Sequence, residues 1–198
     1  MIKNICVYCS SGDFIDKKYF DAAKELGEKI AQQGFGLVYG GSTLGLMREV
    51  AETAFRCGAK VLGVVPEKIY NSKIEFSKDI ELIITKDMRE RKMTMEYNAD
   101  AFIAMPGGFG TLEEVSEIIV AKQLGYHFKP IVFLNVDGYY EKLFEFFDNF
   151  YKEKFAHKNC TTLFYKAKNV DDALNYIKNY KSDEDKDKWL EKFSFIKQ

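Results

Sequence analysis

Histidine is nearly missing from this chain: His127 and His157 are the two among 198 residues. They stand far apart, and neither falls in a turn suited to chemistry. A histidine-based triad and a multi-histidine metal site are therefore set aside. No apolar run approaches the ~20 residues that cross a bilayer. The sequence begins directly on a strand pattern, without a basic region leading into an apolar segment. No secretory signal is expected, and the cytoplasm is the expected compartment. Charge of one sign is lacking too. A net charge of −1 gives no pull toward nucleic acid or anionic lipid, so neither is an expected partner. Cysteine is sparse, with four residues. Cys6 and Cys9 form a C-x-x-C pair inside a strand pattern, where positions three apart face opposite sides, so core cysteines are expected rather than a redox pair or zinc site.

Two nucleotide signatures are also missing. A P-loop needs lysine after its last glycine, but Gly45 is followed by Leu46 and Gly110 by Thr111. The dinucleotide fingerprint belongs after the first strand, where Ser10-Ser11-Gly12 stands instead. No lysine is placed for a pyridoxal phosphate imine, which argues against amino-acid decarboxylation. No cofactor or metal is expected.

Hydrophobic residues at 46% and charged residues at 30% describe an ordinary globular chain with a full core. Strand-like and helix-like runs alternate from end to end. The strands read as Ile2–Tyr8, Leu37–Tyr39, Lys60–Val65, Ile80–Ile84, Ala101–Met105, Ile131–Leu134 and Thr162–Tyr165. Between them lie helices at Lys17–Gln33, Leu44–Cys57, Asp87–Asn98, Thr111–Leu124 and Tyr139–Lys154, with Asp171–Tyr180 last. Glu67–Asp79 reads as a looser surface crossing. Such alternation predicts an α/β, Rossmann-like, doubly wound and largely parallel sheet with helices on both faces. One domain is expected over 1–180, followed by a charged and aromatic tail over 181–198. In that tail Trp189, Leu190, Phe193, Phe195 and Ile196 can dock on the body or on a partner subunit.

The most informative run is Pro106-Gly107-Gly108-Phe109-Gly110-Thr111-Leu112-Glu113-Glu114. A glycine turn between a strand and a helix leaves backbone N–H groups free at the positive end of the helix dipole, which suits a phosphate. Thr111 adds a hydroxyl. Glu114 sits close to that anion, where a carboxylate does not help phosphate affinity. It fits better as a group acting on something attached to the phosphate. A ligand other than a whole dinucleotide or a P-loop triphosphate is implied. Arg91 precedes Glu114 by one helix end, one strand and one turn, so the two can converge at the strand ends. There an arginine can orient a carboxylate or balance phosphate charge; a solvated basic face is the plainer reading of Arg89, Arg91 and Lys92. Ser10, Ser11, Ser42 and Thr43 lie in predicted turns, either as caps or as phosphate and ribose contacts. Met88, Met93 and Met95 read as core or pocket lining.

In order, Gly40-Gly41-Ser42…Gly45-Leu46-Met47, Met88-x-x-Arg91-Lys92 and Pro106-Gly107-Gly108-x-Gly110-Thr111-x-x-Glu114 resemble the Lonely Guy family, cytokinin riboside 5′-monophosphate phosphoribohydrolases often labelled lysine decarboxylases. Leu134-Asn135-Val136-Asp137-Gly138-Tyr139-Tyr140 is a further matching word. The resemblance spans roughly Ile2 to Tyr180. It implies hydrolysis of the N-glycosidic bond of a purine nucleoside 5′-monophosphate, with Arg91 and Glu114 catalytic and Gly107, Gly108, Gly110 and Thr111 around the phosphate. Ser10, Gly41, Ser42, Met88 and Lys92 complete the expected substrate-binding set. Glu114 would stabilise an oxocarbenium-like state, bind ribose hydroxyls or activate water. Relatives usually carry a small residue at Arg48, which here either adds phosphate charge or points to solvent, and a histidine is common at Arg89. The same fold also carries nucleotide-binding proteins without hydrolysis.

Two further expectations follow. As polar groups at a cleft, Arg91 and Glu114 should be removable without harm to the core. Val115, Ile118, Ile119, Val120 and Leu124 spread more widely than one stripe, so with the methionine-bearing helix and the resemblance they imply a homodimer or higher homo-oligomer with the cleft near the seam.

Overall fold

A computed structural model describes residues 2–72 and 80–182. Among them the strands β1 (Asn4–Tyr8), β2 (Gly36–Tyr39), β3 (Val61–Pro66), β4 (Glu81–Thr85), β5 (Ala101–Ala104), β6 (Ile131–Leu134) and β7 (Tyr165–Ala167) form one seven-stranded sheet. The order is β4-β3-β2-β1-β5-β6-β7, and every pairing is parallel. The strand order reverses direction around β1, between β2 and β5, which places a crevice at the carboxyl ends of those strands.

Both faces of the sheet are covered. The helices α1 (Lys17–Gln32), α2 (Gly45–Arg56) and α7 (Val170–Lys178) pack on one face. On the other lie α4 (Met88–Tyr97), α5 (Phe109–Gln123) and α6 (Glu141–Lys152). A short helix, α3 (Glu67–Tyr70), follows β3 directly. Alternation along β1 assigns its side chains: Ile5, Val7 and Cys9 enter the first core, Cys6 and Tyr8 the second. Cys6 and Cys9 are therefore buried free thiols on opposite faces, as the strand pattern predicts. His127 is a core residue. Its ring bonds the Ile118 carbonyl at 2.9 Å and accepts the Lys129 N–H at 3.2 Å, and burial lowers its pKa to about 4, so it stays neutral. No helix among the described residues is long and apolar enough to cross a membrane.

The sequence misplaces one strand. Thr162–Tyr165 is not β7; a 3₁₀ turn over Lys158–Thr162 comes first, and the strand starts at Tyr165. The Thr161 and Thr162 hydroxyls donate to the carbonyls of Lys158 and Asn159, so local side-chain bonding captures residues whose branching suggests a strand. In the stretch read as loose, Glu67–Tyr70 is helical, and 73–79 lies outside the described residues. So does the tail from 183 onward, with Trp189, Leu190, Phe193, Phe195 and Ile196.

Candidate active site

The glycine turn after β5 leads straight into α5, whose first residue is Phe109 rather than Thr111. The first bond of its backbone ladder runs from Leu112 N–H to Gly108 O at 3.1 Å. The N–H groups of Gly108, Phe109, Gly110 and Thr111 precede that ladder and are open to a ligand. Among the described residues no side chain caps this terminus, and its first turn carries no acid. Positive potential is thus left uncancelled where an anion would sit.

The glycines divide into two kinds. A Cβ on Gly107 would meet the Thr111 Oγ1 at 2.1 Å, so this residue is glycine to let the threonine hydroxyl fold back over the turn. Gly108 and Gly110 have nothing within 4 Å of a built Cβ, and neither has positive φ. Among the described residues nothing demands glycine at those two positions. Both line the cleft, and a side chain there would occupy it.

Beyond the turn lies an ion pair. Arg91 and Glu114 are 4% and 5% exposed, and Nη1 of Arg91 donates to Oε1 of Glu114 at 2.6 Å. Arg91 also donates through Nε to Val64 O at 3.0 Å and through Nη2 to Gly40 O at 3.2 Å. A Cβ on Gly40 would stand 1.9 Å from Nη2, so glycine at 40 is what lets the guanidinium reach the strand ends. Burial pushes the Glu114 carboxyl above the ordinary carboxylate range, and Arg91 opposes that shift. Oε1 is taken by Arg91, and among the described residues Oε2 has no hydrogen-bond donor.

The cleft holding these groups has a volume of about 490 Å³. Gly108, Gly110 and Thr111 of the α5 turn line it, together with Ser10 and Ser42. Leu44, Met47, Ile69 and Met88 contribute apolar lining. Ser10 and Ser42 also hold their own turns, accepting from Gly12 N–H at 3.0 Å and Leu44 N–H at 3.2 Å.

Not every expected residue is brought together. Lys92 points away from the cleft: its ammonium pairs with Glu113 and with Glu117 on α5. Gly41 is outside the lining, and a Cβ there would stand 2.1 Å from Val65 Cγ2 with φ at +72°. It shapes the turn rather than facing a ligand. Arg48 neither faces a phosphate nor points freely to solvent, because its Nη2 lies 3.5 Å from Asp13 Oδ1, which also accepts the Gly45 N–H. Of the methionines, Met95 is buried, Met88 lines the cleft and Met93 is 65% exposed. Sequence reasoning missed Ile69, hidden in the stretch read as loose, and Cys9, whose residue lies under the cleft.

The comparisons agree on the family. A family model described as "Possible lysine decarboxylase" matches residues 47–177. A probable cytokinin riboside 5′-monophosphate phosphoribohydrolase of Oryza sativa subsp. japonica is 41% identical over 176 residues, covering 89% of this chain and 79% of the relative. The chain belongs to the Lonely Guy family. Another member, a cytokinin riboside 5′-monophosphate phosphoribohydrolase of Arabidopsis thaliana, is 38% identical over 90% of this chain and 78% of its own. Among solved structures, the Moco carrier protein of Chlamydomonas reinhardtii superposes with a TM-score of 0.68. It is 26% identical and covers 90% of this chain and 96% of its own.

For this family member the buried pair changes one expectation. Arg91 is part of the packed interior, so its removal cannot spare the core. Arg91→Ala abandons two carbonyls and leaves Glu114 as a buried, unpaired charge, which costs about 3–5 kcal/mol. Without the guanidinium the folded pKa of Glu114 stands further above its unfolded value. Such a carboxyl holds more protons folded than unfolded between the two pKa values, so stability falls as pH rises through that window and returns as pH falls. Denaturant unfolding should therefore show the Arg91→Ala deficit shrinking at acidic pH, and shrinking at pH 7 when Glu114→Gln is added. A pH-independent deficit that adds with Glu114→Gln would contradict this coupling.

Proposed function

We propose that this protein hydrolyses the N-glycosidic bond of purine nucleoside 5′-monophosphates, AMP or its cytokinin-type relatives, to free base and ribose 5-phosphate. The carrying observation is an Arg91-paired carboxylate one helical turn beyond an open helix N-terminus. The phosphate lies on the N–H groups of Gly108, Gly110 and Thr111 and on the Thr111 hydroxyl. The ribose then faces Glu114, and the base reaches the wall of Leu44, Met47, Ile69 and Met88.

In the reaction the C1′–N9 bond breaks and its electron pair leaves with the base. Water forms the new C1′–O bond, and the base ends with the proton that water gives up. Positive charge builds on the ribose in between, as in glycoside hydrolysis. Oε2 of Glu114 faces that charge from a buried side chain, where electrostatic stabilisation is strong. Arg91 keeps Glu114 in one orientation. The names of the relatives support the reading. A second reading, a nucleotide-binding protein without hydrolysis, draws on the Moco carrier likeness. Against it stands the Arg91–Glu114 pair, whose buried charges serve no purpose in holding a phosphate. The test is a panel of nucleoside monophosphates assayed for ribose 5-phosphate and base. Turnover should fall about 10²–10³-fold in Glu114→Gln, and nucleosides lacking phosphate should be poor substrates. Binding without product would favour the second reading.

We also propose a homodimer in the cytoplasm. Val115 and Ile118 face the core, whereas Val120 and Leu124 are 51% and 52% exposed on the opposite side of α5. Met93 and Tyr97 on α4 are exposed as well. Two-fold pairing would cover both helices and bring two clefts near one seam. Light scattering at micromolar concentration should report about twice the mass of one chain, and Val120→Glu with Leu124→Glu should lower it to one. A fully active monomer would contradict the pairing.

A further inference from the structure

The turn 105–107 is held by its carbonyls. Tyr140 Oη donates to Met105 O at 2.6 Å, Ser10 N–H to Pro106 O at 3.2 Å, and Tyr139 Oη to Gly107 O at 2.6 Å. In a trans peptide the carbonyl and the next N–H point in opposite directions. Fixing each carbonyl therefore aims the following N–H. The Met105 bond aims nothing, because Pro106 has no N–H. The Gly107 bond aims the N–H of Gly108, a residue that lines the cleft. That peptide lies between two glycines, where rotation meets little steric resistance, so its direction depends on the anchor.

We propose that Tyr139 is a positioning residue for the substrate phosphate: its hydroxyl holds the Gly107 carbonyl behind the turn and so turns the Gly108 N–H toward the anion. Tyr139 is absent from the cleft lining and acts through the loop. Its ring is held independently of the hydroxyl, edge-on to Tyr19 at 5.8 Å and to Tyr140 at 5.0 Å. The turn that carries it is tied to α1 by the Lys18–Asp137 pair. Tyr139→Phe should thus remove the anchor and leave the ring in place. The inference rests on the phosphate reading of the cleft.

The neighbouring tyrosine supplies the contrast. Tyr140 and Met105 are buried, so Tyr140→Phe strands a carbonyl without aiming an N–H. The experiment measures KM and kcat for AMP, inhibition by inorganic phosphate, and melting temperature in both variants. In Tyr139→Phe, KM and the phosphate inhibition constant should rise together about tenfold, with kcat within about twofold, because an aimed bond to an anion is lost from substrate and transition state alike. Its Tm should move by no more than about 2 °C, whereas Tyr140→Phe should lose about 3–10 °C with little change in phosphate inhibition. Unchanged phosphate inhibition in Tyr139→Phe, or a fall in kcat alone, would overturn the role of Tyr139. A wild-type protein indifferent to phosphate would overturn the phosphate reading and the proposal with it.

Discussion

The buried pair of Arg91 and Glu114 constrains everything around it. Two charges withdrawn from water are tolerated only when their hydrogen-bonding capacity is met. Here Val64 O and Gly40 O take the remaining guanidinium donors used, and Glu114 Oε1 takes the third. These partners come from the ends of β3 and β2 and from α5, while Arg91 itself comes from α4. One side chain therefore ties two strand ends to two helices. The absence of a side chain at Gly40 follows from this contact.

Function is separated from anchoring within a short stretch of chain. The N-terminus of α5 offers positive potential with no carboxylate in its first turn, and Glu114 follows on the same helix. A phosphate and a developing sugar cation need opposite fields, and a helix provides both when the acid is kept off the terminus. Binding energy gathered at the phosphate can then hold the sugar against the carboxylate, which is how a remote group contributes to rate. Lys92, next to Arg91 in the chain, instead bridges from α4 to Glu113 and Glu117 on α5.

Much of this was legible in the sequence. Alternating runs specify a parallel sheet because a parallel pair needs a crossover between its strands. The P-G-G-x-G-T-x-x-E word locates the uncapped glycine turn at the head of α5, with Glu114 following on the same helix. The convergence of Arg91 with Glu114 follows from one helix end, one strand and one turn between them. What was not legible depends on tertiary distances. Burial of the pair cannot be read from two charged letters, and Lys92 differs from Arg91 only in the face it occupies. The Thr161 and Thr162 hydroxyls divert a strand-like segment into a turn by local bonds that composition does not reveal. Tyr139 and Tyr140 read as the start of a helix, yet each hydroxyl reaches back more than thirty residues to a different carbonyl of the glycine turn.

The central claim is spatial: a phosphate at the head of α5 puts the glycosidic carbon against Glu114. A crystal structure of Glu114→Gln with AMP bound tests it most directly. The account predicts the phosphate oxygens within hydrogen-bonding distance of the N–H groups of Gly108, Gly110 and Thr111. It predicts C1′ facing the side chain at 114 and the base against Leu44, Met47 and Met88. A phosphate bound elsewhere, or a base lying at the head of α5 with the ribose turned away from residue 114, would contradict it.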